Sequence, residues 1–407
     1  MTTTADLLEL ARDVRPTGRA AEQEARRTIE ALLLPAGSLG SLQQLAQWWA
    51  GVRRDPTAAP PSAVTALVVA GDHGIAVRGV SAQPLGQTAV SLRAVADGRS
   101  ATHAAADVLS VPVRTMAVDV AGPAGPRAAP FDTGDAMDPD LLDEAIATGT
   151  SVADELAAQG LELLVLGELN VGGSTTAAAV VGAAQRRRVL EVVGRGSGVD
   201  DTAWMRKAAA VREGLRRART RPRDVRSILT AVGSADVAAV TALLLRCAAN
   251  ELPVVLDGPV TAAAAVLAHR VSPTSRQWWL FPERGDEPCV HRVQDALGMT
   301  PVHELGVRTG LGVAGLAVLG TLRTAVAVAT GAPAHDDYWP LERTSDGPAG
   351  TTSPHEPPTD QVPTDQPPTD QLLTDEAPET DGAVASMESV EFDGGAAGAD
   401  REGPVSP

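Results

Sequence analysis

The run LELLVLGELN (161–170) reads as a buried strand and leads into Gly172-Gly173-Ser174-Thr175-Thr176, after which the chain turns alanine-rich. Glycines let backbone N–H groups close on an anion, hydroxyls add donors, and the N-terminus of a following helix favours negative charge. The same residues also suit a plain strand-to-helix turn with an N-cap. A second loop, Gly194-Arg195-Gly196-Ser197-Gly198, follows the strand-like Val189 to Val193 and leads to Asp200-Asp201. Three glycines around an arginine fit a backbone cradle with one fixed cation, suited to phosphate or carboxylate, or a flexible surface turn. Lys207 is the only lysine in a chain with 34 basic residues. An ammonium is a compact point charge with a movable pKa, so a site that needs one resists replacement by arginine. Asp72-His73-Gly74 could supply a general base or metal ligands. With no other His or Cys at ligand spacing, it is read as a structural hydrogen-bonding pair, and no metal is expected.

Positioning these groups requires strands that end where they begin. TALVVAGDHG, VRTMAVDV, LELLVLGELN, LPVVLDGP and QWWLF are short apolar runs, most of them ending in Gly, Asp or Glu. They alternate with helical stretches at Ser91 to Leu109, Leu141 to Gln159 and Ala203 to Thr220. That alternation predicts an α/β fold with a mostly parallel sheet covered by helices on both faces. Ligands of such sheets bind beyond the carboxyl ends of the strands, where Asp72-His73, Glu168-Leu169-Asn170 and Asp257-Gly258 fall. Helices are expected over residues 5–34 and from Leu39 to Trp49. Trp48-Trp49 and Trp278-Trp279 are read as packing residues.

The net charge of −17 is concentrated at one end: from Gly331 onward 17 acidic residues face only Arg343 and Arg401, which leaves the rest near −2. That balance gives no electrostatic footprint for nucleic acid. Residues 336–407, with their Pro-Thr-Asp-Gln repeats, cannot bury enough apolar surface to fold and are expected to be disordered. The start of the chain lacks an export signal, which predicts a cytoplasmic location. Cys247 and Cys289 are read as reduced thiols. The apolar stretch Gly310 to Leu322 is stopped by Arg323 and is too short for about 30 Å of hydrocarbon, so a buried helix and no membrane span is expected.

Taken in order, GSLG (37–40), GDHGIAVRGVSA (71–82), GELNVGGSTTAAA (167–179), GRGSGVDD (194–201), VVLDG (254–258) and LGVRTGLG (305–312) resemble the nicotinate-nucleotide–dimethylbenzimidazole phosphoribosyltransferase family. The resemblance spans roughly residues 30–325. It implies a Rossmann-like α/β domain (61–304) and a small helical domain from both chain ends (1–60 and 305–335), in a homodimer. It also implies phosphoribosyl transfer from nicotinate mononucleotide to an aromatic, benzimidazole-type base in cobalamin biosynthesis, with no cofactor. Carried over by position, Gly172 to Thr176 and Gly194 to Gly198 hold phosphate and ribose, and Glu168 and Lys207 are catalytic. Ser81, Gln83, Val90 and Leu311 line the base pocket.

The departures gather at that pocket. The family pattern LGxRxGEG places its general base where this chain has Leu311, the usual aromatic after Gly-Val-Ser-Ala is Gln83, and the glutamine expected a turn later falls at Val90. Gly-Asn-Thr-Thr reads Gly-Ser-Thr-Thr with one extra residue before it, and Glu-Pro-Gly-His reads Glu-Pro-Cys-Val-His. Three readings stand at this level: an active transferase, a homologue that binds nucleotide as a sensor or scaffold, and an unrelated phosphosugar enzyme on a similar sheet.

Overall fold

The buried runs become a five-stranded, wholly parallel sheet. In a computed structural model, which describes residues 6–120 and 125–338, its order is β2-β1-β3-β4-β5, with β1 (Val64–Asp72), β2 (Val113–Ala117), β3 (Leu163–Val171), β4 (Val254–Leu256) and β5 (Trp279–Leu280). Every residue of β1 is buried, as expected of a parallel strand covered on both faces. The register pairs Val69 with Glu168 and Leu166 with Leu256, so the carboxyl ends of β1, β3 and β4 lie side by side. The strand order reverses between β1 and β3, the switch point at which open α/β sheets hold ligands.

Helices α1 (Leu7–Leu10), α2 (Arg19–Glu30) and α3 (Ser41–Arg53) precede β1. After it come α4 (Gln87–Ala96), α5 (Ala101–Leu109) and α6 (Pro139–Ala158), then α7 (Gly173–Gln185), α8 (Asp201–Ala218), α9 (Val225–Val232) and α10 (Ala235–Ala249) beyond β3. The last are α11 (Pro259–Val271), α12 (Pro288–Leu297), α13 (Val313–Gly331) and α14 (His335–Tyr338). Local chemistry starts several of them. Asp138, Asp200 and Asp224 accept from backbone N–H groups of Leu141, Ala203 and Ser227 at the starts of α6, α8 and α9. Helix α10 is apolar nearly all round and is buried against α6, where Gly149 allows contact because a Cβ there would strike the Ala239 carbonyl.

Three expectations need correction. Val189 to Val193 is a 3₁₀ turn (Val189–Glu191), closed by the Arg188 N–H donating to the Glu191 carboxylate, with Leu190 exposed and no strand beside it. Ser91 to Leu109 is two helices, because Ser100 accepts from the His103 N–H and starts α5 anew. The apolar stretch near the C-terminal end does not stop at Arg323: α13 runs on to Gly331, and the Arg323 guanidinium donates to the carbonyls of Pro61 and Leu109. By length and composition α13 could cross a membrane, yet half of it is buried, packed on α3, α5, β3 and β4.

Both chain ends contribute to the helical part. Helix α13 packs on α2 and α3, and the His335 N–H donates to the Ala31 carbonyl. The tryptophans act as packing residues that tie distant segments, Trp48 Nε1 donating to Gln277 O and Trp278 Nε1 to Arg15 O. Helix α14 runs to Tyr338, past the expected boundary at 336, and the acidic repeats lie outside the described residues.

Candidate active site

Beyond the carboxyl ends of β1, β3 and β4 opens a cavity of about 780 Å³. Its floor is the end of β3 and its walls are the loop and helix after β1, the two glycine loops, residues 281–288 and residues 307–311. Of the residues singled out by sequence, Ser81, Gln83, Glu168, Gly172, Gly173, Ser174, Gly194 to Gly198 and Leu311 all line it.

The two glycine loops meet over one buried cation. Lys207, on α8, has no exposed surface, and its Nζ donates to Ser174 Oγ at 2.9 Å. Gly196, with φ 53°, passes so close that a Cβ there would stand 2.7 Å from that Nζ, so the glycine is needed both for backbone conformation and for approach. Burial pulls the Lys207 pKa down, and the Glu287 carboxylate beside it pulls the other way. Asn170 Oδ1 accepts from the Gly173 N–H at 3.0 Å and fixes the first loop. The second loop is tied to the wall after β1 through Ser197 Oγ, which lies 3.2 Å from Ser81 Oγ and accepts from the Ala82 N–H.

Not every predicted contributor faces the cavity. Arg195 lines it, but its guanidinium donates to Asp201 and to the Val199 carbonyl, while Lys207 lies behind the lining residues, sealed beneath Ser174 and Gly196. Thr175 and Thr176 are buried beneath it, and Thr176 Oγ1 sits 2.9 Å from His73 Nδ1. His73 in turn pairs with the buried Asp236 at 3.1 Å, while Asp72 accepts from Thr88 Oγ1 at 2.6 Å. Both residues take buried partners from other segments, where the sequence had suggested a pair of their own. Val90 is half exposed and lies off the cavity wall, whereas Gln87, nearly one turn earlier on α4, is on it.

At the other end of the cavity Glu168 is held from both sides. Its Oε2 accepts from the N–H groups of Val260 (2.7 Å) and Thr261 (3.1 Å) at the start of α11, and its Oε1 accepts from Asn170 Nδ2 at 3.3 Å. Burial pushes its pKa up to about 8 despite those donors. The neighbouring Asp257 accepts from the Ala314 N–H and is pushed by burial to about 6. Leu311 presents an apolar side chain here, and its carbonyl accepts from Thr102 Oγ1. The sequence singled out the Glu-Pro-Cys-Val-His motif that Glu287 opens without giving that glutamate a role, and it passed over Gln87. Glu287 had a signal, an acid immediately before a proline that opens a helix; Gln87 had none beyond its helix phase. Among the described residues no group of three or more His, Cys, Asp or Glu is arranged to hold a metal ion.

A parallel sheet of this order with two glycine loops and a large cavity at its switch point defines a doubly wound α/β protein of the kind that holds ligands there. A phosphoribosyltransferase family model matches residues 14–337. The chain is similar to the nicotinate-nucleotide–dimethylbenzimidazole phosphoribosyltransferase of Streptomyces avermitilis, 39% identical over 327 residues, which are 77% of this chain and 86% of the relative. The enzyme of that name from Mycobacterium tuberculosis is 35% identical over 346 residues, 82% of this chain and 96% of the relative. The crystal structure of CobT from Thermus thermophilus superposes with a TM-score of 0.72 at 28% identity, covering 76% of this chain and 96% of that one. The chain belongs to the nicotinate-nucleotide–dimethylbenzimidazole phosphoribosyltransferase family.

Proposed function

We propose that this protein transfers the phosphoribosyl group of nicotinate mononucleotide to a benzimidazole-type base, releasing nicotinate and an α-riboside phosphate. The observation that carries the reading is the buried Lys207, the chain's sole lysine, locked on Ser174 between the two glycine loops. Its ammonium, the loop N–H groups and the Ser174 and Ser197 hydroxyls suit the 5′-phosphate and ribose, which leaves the C1′ atom toward Glu168.

The C1′–N bond to nicotinate breaks with its electron pair going to a ring nitrogen that is already positive, so cleavage needs mainly positioning and charge stabilisation. The acceptor's unprotonated ring nitrogen forms the new C1′–N bond from the opposite face with its lone pair, and the proton on its other ring nitrogen must then leave. Leu311 cannot take that proton. Glu168, on the cavity floor and held by three donors, is the group that can, in the fraction ionised below its pKa of about 8 and fully above it. Ser81, Gln83 and Gln87 with Leu311 frame the acceptor.

The reading as a binding-only sensor finds no support among the relatives, which carry the name of the transferase. The family resemblance also supports a homodimer acting in the cytoplasm on small molecules, without nucleic acid, membrane, metal or organic cofactor. The test is nicotinate release from nicotinate mononucleotide with a panel of benzimidazoles, purines and phenols. Release that requires an acceptor is expected. Mononucleotide binding without release by any acceptor would sink the reading.

A further inference from the structure

The donors of the phosphate cradle are already met by an anion from the chain itself. Glu287, the residue before Pro288 at the start of α12, reaches across from the opposite wall, and its Oε1 accepts from the Gly196 N–H at 2.5 Å. Its Oε2 stands 3.8 Å from Lys207 Nζ, buried and without a hydrogen-bond partner, and the side chain is only 13% exposed. The reach depends on Gly194, where a Cβ would lie 2.5 Å from Glu287 Oε1. A carboxylate, one backbone N–H and one buried ammonium are therefore gathered where a substrate's phosphate needs the same donors.

A phosphate and this carboxylate cannot both sit there comfortably, since like charges brought together in a water-poor site repel strongly. Neither can Lys207 stand alone, since a buried ammonium with no anion nearby loses its charge or its place. We propose that Glu287 is an internal occupant of the phosphate subsite, holding Lys207 and Gly196 in the empty protein and yielding them when phosphate enters. This rests on the reading that the cradle takes the nucleotide's phosphate. The segment that must move, residues 281–288, lines the cavity, and its Arg284 and Asp286 are exposed at the surface. Binding exchanges one anion for another, so Glu287 sets the affinity for phosphorylated ligands. A nucleoside without phosphate brings nothing to take its place, and the exchange selects for the monophosphate.

Calorimetric titration of the full chain with nicotinate mononucleotide, inorganic phosphate and the phosphate-free nucleoside tests this. Glu287→Gln keeps an acceptor for the Gly196 N–H but removes the charge. Binding of the mononucleotide and of phosphate should tighten about tenfold, with nucleoside binding unchanged. Should the Gln variant melt early, Glu287→Asp, which draws the carboxylate back from Gly196, should show a smaller gain of the same sign. Unchanged or weaker binding of mononucleotide and phosphate by a folded variant overturns the proposal, and weaker binding would make Glu287 a substrate ligand instead. Wild-type protein that binds neither phosphorylated ligand overturns the phosphate reading of the cradle, and this proposal with it.

Discussion

At the end of the cavity proposed to take the phosphate, the donors are largely backbone, set by glycines, with a lysine sealed behind them. At the end proposed to take the base, the lining is side chains: Glu168 below, Leu311 beside it, Ser81, Gln83 and Gln87 around. A backbone cradle survives changes in neighbouring residue types as long as its glycines stay, so Ser174 and the one extra residue before it leave it intact. A pocket made of side chains changes its chemistry with every substitution, and the departures at Leu311 and Gln83 fall there. The difference teaches that one end fixes what is held and the other decides what it reacts with.

The largest effect should come from Glu168→Gln, which can still accept from Val260 and Thr261 but cannot take a proton. Nicotinate release should fall by a factor on the order of 10²–10⁴ in kcat, with little change in KM for the mononucleotide. A rate within threefold of wild type would mean that the base end does not run on this carboxylate. Lys207→Ala breaks the other end: mononucleotide affinity, read by calorimetry, should drop about 10²-fold through loss of a charge-assisted contact. The neighbouring Arg206→Ala, which loses only bonds to the Gly79 carbonyl, should cost far less. Equal losses would reduce Lys207 to a packing residue.

Leu311→Glu sharpens the contrast by adding an acceptor at the base end alone. Turnover with dimethylbenzimidazole should rise, by about tenfold at most, because Gln83 does not orient the ring as an aromatic would and residues acting as a unit are not additive. A fall in both activity and melting temperature would show a pocket reshaped for an acceptor with no ring proton, in which the new carboxylate is desolvated without a partner. A smaller effect concerns stability. The folded protein holds a proton on Glu168 up to about pH 8, whereas an unfolded carboxyl releases it near its ordinary 4.5, so stability falls as pH rises through that window and is flat below it. Asp257 adds to the fall between its ordinary 3.8 and about 6. Melting scans from pH 4 to 9 should show a decline of several degrees, with Glu168→Gln flatter than wild type.

Much of this was legible in the residues. The five strands follow from apolar runs, most of which stop at Gly, Asp or Glu, and Lys207 stood out by composition alone. Pairing across the fold was not legible. That His73 reaches Asp236 and Thr176 depends on how distant segments meet, and even the local choices, Asn170 propping the Gly172 loop and Arg195 turning to Asp201, depend on loop conformation. Helix phase also decided between Gln87 and Val90, and the boundary of α4, set by Gly86 in a left-handed conformation, lay a few residues from where the alanine-rich texture suggested. Val189 to Val193 misled because a β-branched run without a neighbouring strand has no ladder to join.

Which group receives the acceptor's proton is tested most directly by the pH dependence of single-turnover nicotinate release with dimethylbenzimidazole. With Leu311 inert and Glu168 the acceptor, the logarithm of the rate should climb with pH, bend near 8 and level off above it, and Leu311→Glu should shift the climb to lower pH. A wild-type profile flat from pH 6 to 9, or one unchanged in Glu168→Gln, would contradict that role for Glu168.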